Sequence, residues 1–533
     1  MKKIFFVFAM LCSSVILAQN VYHFTNGLAS GKVHQYGREA MYSDTLAYSI
    51  YKGESKPQEG LAVSAEAKTK WTAVKADSAN NFRSQALANG YLYLTYNAPK
   101  AGTAVFIGTG HSMVFINGAP HAGDMYRYGW MYIPVQLKKG INEFYIRAAG
   151  AGRFASVKAM LDFSFKPVQL STKDATLPFF IEGETVAKKW AGLVVVNSSK
   201  NNTTGMSITA AVEDQKIQTN ISNIAQHIAR KVAVEIPVPK NVSKGSYRVA
   251  LTLMSNNQII DTTSVVVTAV KSSEHASHTF ISNIDGSVQY YAVAPQANDN
   301  KTNPSLFLSV HGAEVEAISQ ARAYKPKTEG PIVAPTNRRP RGFNWEDWGR
   351  LDALEVLSIA KQKFNPDPQR IYLTGHSMGG HGTWFLGATY PGNWAAIAPS
   401  AGYPTLKSYG SADGLIPENS KHPIEQLLLR AGNQSDVIKL ANNYKPFGIY
   451  LFHGSSDEVV PVDPFPRAGF EIFPHPISIG NIHREDTTGT QRGADGGEHG
   501  EVFSLAIEVT EGVAQNGDAV ERGVGGGKRA GVA

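Results

Sequence analysis

The stretch IYLTGHSMGGHGTW, residues 371–384, decides how this chain is interpreted. Its apolar start predicts a buried strand, and the apolar residues after its glycines predict a helix. Ser377 lies between the two, in the pattern Gly-x-Ser-x-Gly. Small residues around a serine permit the strained strand-to-helix turn that exposes the hydroxyl group. A serine hydroxyl is a weak nucleophile that needs exposure, a base and donors for an oxyanion. We therefore predict that Ser377 is a catalytic nucleophile.

Two backbone N–H groups are expected to bind the oxyanion. The predicted helix begins just after Ser377, so the N–H of Met378 lies at its positive end and is the first donor. The second donor should come from a loop after an earlier strand, as in LFLSVHGAEVEA at residues 306–317. We assign it to Ala313 or a close neighbour. His311 beside this loop is expected to have a structural role rather than to be the base.

A carboxylate follows a later predicted strand. IYLFHGSSDEVVPV, residues 449–462, places Asp457 just after the strand, with Glu458 as the adjacent alternative. A solvated Asp457 without a catalytic role is the other alternative. Serine before acid is the chain order of α/β-hydrolases. We therefore predict Asp457 as the acid that orients the base.

The chain of 533 residues is too long for one ordinary domain. Residues 20–172 predict a jelly-roll-like β-sandwich, in which Asn117-Gly118 between apolar runs indicates a two-residue hairpin. Residues 173–272 predict an immunoglobulin-like β-sandwich. In residues 273–463, apolar strands alternate with helices. This pattern predicts a mostly parallel sheet with helices on both faces, the α/β-hydrolase arrangement.

Four aromatic residues are spaced by two in the first sandwich. If this segment were a strand, they would share one face of it. We expect that face to lie in the sandwich core or at a domain contact. The alternative is a platform on which sugar rings stack. The four residues are Tyr126, Tyr128, Trp130 and Tyr132.

The N-terminus has the layout of a secretory signal. Residues 1–19 contain two lysines, an apolar run and then Leu17-Ala18-Gln19, with cleavage expected near Ala18 or Gln19. We expect a secreted or periplasmic protein with no membrane segment after cleavage. Cys12 is the only cysteine, so disulfides and thiolate chemistry are excluded from the mature chain. The net charge of +7 includes no dense basic stripe, so nucleic acid is not an expected partner. No cofactor or metal site is expected.

Three motifs together resemble known serine hydrolases. LSVHG, GHSMGGHGTW and FHGSSDEVVPV are similar to the prolyl oligopeptidase and dienelactone hydrolase types, and GHSMGGHG is also similar to the esterase D group. The segment from Val315 to Leu357 resembles secreted bacterial serine peptidases of the prolyl oligopeptidase family. The resemblance covers roughly residues 277–463. It implies that Ser377 and Asp457 belong to a triad whose histidine follows the acid by about thirty residues, in a Gly-Gly-His-Trp-like loop.

The chain has no such loop. Residues 464–533 contain no Trp or Tyr and one Leu, and they predict an irregular tail without a closing strand or helix. The tail offers His475, His483 and His499, of which His499 in GGEHGE is the best candidate for the base. A reading-frame error after about residue 463 is one hypothesis for this tail. Because the tail offers no closing strand or helix to position a base, the chain as written is expected to show little turnover.

The substrate is expected to be a peptide or an ester, including esters carried on a polysaccharide. Both reactions pass through a tetrahedral intermediate, so the triad residues do not separate them. The alternative from another class is a catalytically dead, glycan-binding protein. A loop after a predicted strand offers three arginines as substrate ligands, or as surface residues paired with nearby carboxylates. They are Arg338, Arg339 and Arg341.

Overall fold

The protein is described by a computed structural model that forms three consecutive units. No helix among the described residues is long and apolar enough to cross a lipid bilayer. The predicted signal peptide, residues 1–19, lies outside them. The structure describes residues 20–33, 44–63, 69–149, 155–297, 303–338, 344–405, 419–421, 423–431, 436–454, 457, 460 and 478–482.

The first unit is a β-sandwich whose core is made by residues that alternate along the strands, such as Leu92, Leu94, Phe144 and Ile146. Its elements are β1 Val21–His23, β2 Asn26–Lys32, α1 Thr45–Tyr51, β3 Thr72–Lys75, β4 Asn81–Arg83, a 3₁₀ turn Gln85–Leu87, β5 Gly90–Ala98, β6 Gly102–Thr109, β7 His111–Ile116, β8 Ala119–Ala122, β9 Tyr132–Leu137, β10 Gly140–Ala148 and β11 Ser156–Asp162. One sheet has the order β1-β11-β6-β9, with β4 also paired to β11. The other has the order β3-β2-β5-β10-β7-β8.

The predicted hairpin joins β7 to β8. Ile116 pairs with Ala119 across the antiparallel strands. Asn117 has a φ of 50° and Gly118 a φ of 86°. Two positive φ values are those of a type I′ turn, whose twist matches the twist of the flanking strands. The Asn-Gly hairpin is therefore confirmed.

The second unit is another β-sandwich, antiparallel except for β13, which pairs in parallel with β19. Its strands are β12 Val168–Thr176, β13 Phe180–Ile181, β14 Lys188–Asn197, β15 Met206–Val212, β16 Gln215–Asn220, β17 Ile228–Pro237, β18 Gly245–Ser255 and β19 Gln258–Val270. The sheets have the orders β12-β14-β17 and β13-β19-β18-β15-β16. β12 crosses the boundary predicted between residues 172 and 173. Its sequence is polar and has no clear alternation, so pairing with β14 defines it as a strand.

The third unit contains one eight-stranded sheet of order β20-β21-β23-β22-β24-β25-β26-β27. Its elements are β20 Ala276–Ile281, β21 Val288–Ala294, β22 Leu306–Val310, α2 Ala317–Arg322, β23 Ile332–Ala334, α3 Asp347–Phe364, β24 Ile371–His376, α4 Met378–Thr389, a 3₁₀ turn Pro391–Asn393, β25 Ala396–Ser400, α5 Pro423–Ala431, a 3₁₀ segment Val437–Tyr444, β26 Gly448–Gly454 and β27 Ser478–Ile482. β21 is antiparallel to its neighbours β20 and β23. The other six strands, which follow one another across the sheet in the order β23-β22-β24-β25-β26-β27, are all parallel.

Helices cover both faces of this sheet, as predicted. α3 and α4 pack on one face, where Val356 and Trp384 contact strand residues such as Leu308 and Leu373. α2 packs on the other face through Ala321 and its neighbours. Because both faces are covered, the central strands β22, β24 and β25 are buried along almost all of their length.

The tail expected to be irregular lies largely outside the described residues, but its residues 478–482 form the strand β27. It pairs in parallel with β26, and Ile482 lies opposite Gly454. The short apolar segment that forms it contains Pro476 just before the strand and Gly480 within it, so it has no strand pattern by itself. Its strand conformation depends on pairing with β26, which local sequence does not reveal.

The four aromatic residues do not share one strand. Only Tyr132 lies in a strand, at the start of β9. The other three lie in residues 123–131, which connect β8 to β9 and which we name the aromatic loop. Asp124 explains the difference, because its carboxylate accepts hydrogen bonds from the N–H groups of Tyr128 (2.9 Å) and Gly129 (2.6 Å). These bonds hold the segment in turns.

Candidate active site

Ser377 occupies the sharp turn between β24 and α4. Its φ of 57° and ψ of −120° are strained for a residue with a side chain. Its N–H donates to the carbonyl of Ser400 in β25 at 2.9 Å, which fixes the turn to the sheet. The Ser377 side chain makes no capping bond to α4 and the residue is partly exposed. This is the geometry expected of an exposed nucleophile.

The glycines around Ser377 are required by close backbone approach. A Cβ added to Gly379 would lie 2.0 Å from the carbonyl oxygen of Val310, and one added to Gly375 would lie 2.4 Å from that of Gly379. A Cβ on Gly380 would lie 2.4 Å from the oxygen of Ser400. α4 therefore begins directly against the ends of β22 and β25.

The loop after β22 lies beside the nucleophile. A Cβ built on Gly312 would be 3.8 Å from the Cβ of Ser377. Met378 begins α4, and its buried sulfur accepts the N–H of Asn344 at 3.2 Å. The predicted oxyanion donors, the N–H groups of Met378 and Ala313, therefore belong to segments that meet at Ser377. Their role remains a prediction.

His311 anchors this loop. Its ring is buried, with Nδ1 2.8 Å from the Gly312 carbonyl oxygen and Nε2 3.0 Å from that of Thr336. Its own carbonyl accepts the indole N–H of Trp345 at 3.0 Å. These contacts are those of a structural residue, which was the expected role for His311.

Asp457 follows β26 in a tight turn. Its N–H donates to the Gly454 carbonyl at 3.2 Å, and its Oδ1 accepts the N–H of Val460 at 2.9 Å. Its Oδ2 lies 3.6 Å from Nε2 of His453, whose ring also faces the Val460 carbonyl at 2.8 Å. The sequence analysis overlooked His453, although it stands four residues before Asp457. Glu458 lies outside the described residues.

The three tail histidines also lie outside the described residues. In the chain, however, His483 follows Ile482, the last residue of β27, directly. Since Ile482 pairs with Gly454 at the end of β26, β27 ends at the sheet edge where Asp457 begins its turn. Neither His475 nor His499 directly adjoins a described residue in the sequence.

Arg338 faces the protein's own carboxylates instead of an open cleft. Its side chain is only 7% exposed. Its guanidinium contacts carboxylates of α3 and so connects the loop after β23 to that helix, which agrees with pairing to nearby carboxylates and not with the role of a substrate ligand. Burial raises the pKa of Asp352 to about 6, with Arg338 opposing the shift. Arg339 and Arg341 lie outside the described residues. The carboxylates nearest to the Arg338 guanidinium are Asp285 (3.2 Å), Asp352 (3.4 Å) and Glu355 (3.4 Å).

A buried polar group lies behind the nucleophile turn, and the sequence analysis did not identify it. His381 on α4 directs Nδ1 at the carbonyl of Tyr403 (2.8 Å) and Nε2 at Oε1 of Glu346 (2.6 Å). Both ring nitrogens therefore face oxygen atoms, and these two contacts fix the orientation of the His381 ring. The ring stacks on Tyr403 with centroids 4.4 Å apart. The available signal was a histidine one helical turn after Ser377.

Among the described residues, no group of three or more histidine, cysteine, aspartate or glutamate side chains is arranged to hold a metal ion.

The eight-stranded sheet has its second strand antiparallel, with Ser377 after the fifth strand and Asp457 after the seventh. This arrangement defines the α/β-hydrolase fold with its nucleophile turn.

Comparison with known proteins is consistent with this class. Residues 315–466 match the family model described as "Putative esterase". A poly(3-hydroxyalkanoate) depolymerase C of Paucimonas lemoignei is 29% identical over 37% of this chain and 51% of its own length. Feruloyl esterase B of Talaromyces stipitatus is 26% identical over 35% of this chain and 57% of its own. The chain thus spans about half the length of these two relatives.

A solved thermostable esterase is also similar in structure. It is 17% identical, and the alignment covers 65% of this chain and 99% of the esterase. The TM-score is 0.32. The assignment of the fold therefore rests on the strand order and the Ser377 turn described above.

Proposed function

We propose that this protein is a secreted serine hydrolase that cleaves esters through an acyl-enzyme. The observation that carries the proposal is the strained turn of Ser377, with the Gly312 loop beside it. The match of residues 315–466 to an esterase model, and relatives named for ester cleavage, favour an ester over a peptide. The relative named feruloyl esterase suggests esters attached to polysaccharide as one substrate source.

The mechanism follows from the groups around Ser377. Its Oγ attacks the ester carbonyl while a base removes the hydroxyl proton. The N–H groups of Met378 and Ala313 stabilise the oxyanion of the tetrahedral intermediate. The base then protonates the departing alcohol, and water releases the acid by the reverse sequence. Asp457 orients the base and stabilises its charged form.

We infer that His483 is the base, in place of the expected His499. A triad histidine follows the acid in the chain order of this fold. β27 supplies the closing strand that the sequence did not indicate, and His483 is the next residue. This assignment rests on the position of β27 alone.

Replacement of Ser377 tests the proposed function. We expect Ser377→Ala to lose fluorophosphonate labelling and ester hydrolysis, with kcat reduced by a factor on the order of 10⁶. Ser273→Ala, in an exposed turn between β19 and β20, is the matched control and should behave as the wild type. Ester hydrolysis and labelling that persist in Ser377→Ala would refute the site. An inert wild-type protein would favour the dead, glycan-binding alternative.

A histidine series tests the base separately. His475→Ala, His483→Ala and His499→Ala are compared by ester turnover and by the rate of fluorophosphonate labelling. We expect only His483→Ala to lose both, because the unassisted hydroxyl group of Ser377 stays protonated at neutral pH. If His499→Ala instead lost turnover and labelling while His483→Ala kept both, the base would be His499, as first expected. Parallel peptide and ester assays show which bond is cleaved.

A further inference from the structure

The aromatic loop of the first sandwich is held rigidly at its base. Asp124 is buried, and its backbone carbonyl accepts the N–H of Gly110 at 2.9 Å, in addition to the two bonds to its carboxylate. Arg127 adopts a left-handed φ of 60°, and its guanidinium donates to the Ser156 carbonyl at 3.2 Å. The loop is therefore a fixed projection of the sandwich.

Three aromatic rings are packed together in this loop. Tyr126 and Tyr128 have ring centroids 6.0 Å apart at 66°, and Tyr128 and Trp130 have centroids 4.2 Å apart at 45°. Trp130 is 8% exposed, whereas Tyr128 is 37% exposed. Tyr128 is thus the ring that the cluster presents to solvent.

Tyr128 reaches the third unit next to the predicted oxyanion loop. Its hydroxyl donates to the carbonyl of Glu314 at 3.2 Å. Glu314 adjoins Ala313, and the preceding Gly312 lies beside Ser377. Val315, which is exposed, is the next residue along the same loop. An exposed aromatic ring of the first sandwich therefore contacts the same loop that passes beside Ser377 at Gly312.

We propose that Tyr128 determines specificity by packing against an aryl group of the ester substrate. The inference rests on the proposed ester hydrolysis. The rings of Tyr128 and Trp130 are tilted, and Trp130 is nearly covered, so they do not form the flat platform on which a sugar ring stacks. A tilted pair suits the edge-to-face or offset contact that aromatic rings prefer. The bonds of Asp124 and Arg127 fix the loop, so the Tyr128 ring is held beside Glu314.

Two methyl esters test this role, one of an aryl acid and one of an alkyl acid. Both have methanol as the alcohol, so only the acid part distinguishes an aryl from an alkyl substrate. We measure kcat and KM for methyl 4-hydroxycinnamate and methyl butyrate in the full-length protein. For Tyr128→Ala, we expect the ratio of kcat/KM values, aryl over alkyl, to fall by roughly threefold to tenfold. The change should come through KM. Tyr51→Ala, an exposed tyrosine of the same sandwich, is the control and should keep the wild-type ratio.

Tyr128→Phe separates the ring from its hydroxyl group. A role in aryl packing predicts that Tyr128→Phe retains more than half of the wild-type ratio. An unchanged ratio in Tyr128→Ala, or an equal loss for both esters, would overturn the proposal. Because methyl butyrate turnover is measured in every variant, this outcome is distinct from failure of the proposed function. In that second case, neither ester would be hydrolysed even by the wild type.

Discussion

At the scale of single residues, the site depends on backbone conformations that only its neighbours make possible. A φ of 57° at Ser377 costs on the order of 1–3 kcal/mol, which the surrounding fold must offset. Gly375 and Gly379 leave no room for a side chain against the backbone of β22 and α4. The close packing that these glycines permit therefore holds Ser377 in its strained conformation.

We predict that Gly379→Ala disrupts this turn. The new methyl group would lie 2.0 Å from the Val310 oxygen, so β22 or α4 must shift. We expect a loss of about 2–4 kcal/mol in the free energy of unfolding and of most fluorophosphonate labelling. Gly392→Ala, where an added Cβ meets nothing within 4 Å, is the matched control. Equal stability of the two variants in urea unfolding would contradict the prediction.

Sequence predicts residues well where the determining pattern is local. Ser377 was identified because the glycines that permit its turn are adjacent in the chain. The role of Arg338 was left between two alternatives because a partner such as Asp285 is remote in sequence and comes close only in the fold. The role of His381 depends in the same way on Glu346, the residue before α3.

At the scale of elements, β7 contains a fully buried histidine. His111 begins this strand, and neither ring nitrogen has a hydrogen-bond partner among the described residues. Its ring lies edge-on to Phe106, with centroids 6.1 Å apart. Burial lowers the pKa of His111 from its ordinary value of 6.5 to about 4. The neutral form is thus favoured in the folded sandwich.

This burial predicts acid sensitivity of the protein. The unfolded chain binds a proton at His111 below about pH 6.5 but the folded chain only near pH 4, so stability falls as the pH drops through that window. At pH 4.5, the wild type should lose about 2–3 kcal/mol more than His111→Leu, relative to pH 7.5. Chemical unfolding at both pH values measures this difference. Parallel pH dependence of the two proteins would show that His111 is not responsible.

Elements were predictable where pairing partners are close in sequence. The hairpin at Asn117-Gly118 follows from two residues whose conformational preferences define the turn. β27 was missed because its strand conformation depends on β26, across an intervening segment. The aromatic loop has the alternation of a strand, but the hydrogen bonds of Asp124 hold it in turns. Alternation alone does not distinguish these two outcomes.

At the scale of the whole molecule, the units pack on one another through apolar and polar contacts. Val194 and Val196 on β14 face Val105 of the first sandwich, whereas Val195 faces the core of the second. β14 is therefore apolar on both faces. Its apolar run is visible in the sequence, but the contact with the first sandwich that explains it is visible only in the structure. The second sandwich also makes a hydrogen bond to the third unit, since the hydroxyl of Thr279 in β20 donates to the carbonyl of Trp190 in β14 at 2.6 Å.

The contact between the sandwiches also supports the aromatic loop. Tyr132, the residue that follows the loop, packs in this interface against Phe165, with ring centroids 5.4 Å apart. The position of Tyr128 over the third unit is therefore determined by how the first sandwich docks on the second. Substrate selection near Ser377 should depend on an interface that contains no active-site residue.

We predict that Val196→Lys uncouples the first sandwich from the rest of the chain. A lysine at this fully buried position would place a charge in an apolar contact, at a cost of several kcal/mol. We expect a larger radius of gyration in small-angle X-ray scattering and an aryl-over-alkyl ratio as low as that of Tyr128→Ala. Fluorophosphonate labelling of Ser377 should persist, which shows that the third unit remains folded. Val266→Lys, 56% exposed on β19 of the same sandwich, should change neither scattering nor ratio. Wild-type scattering with a wild-type ratio in Val196→Lys would show that the interface does not position the loop.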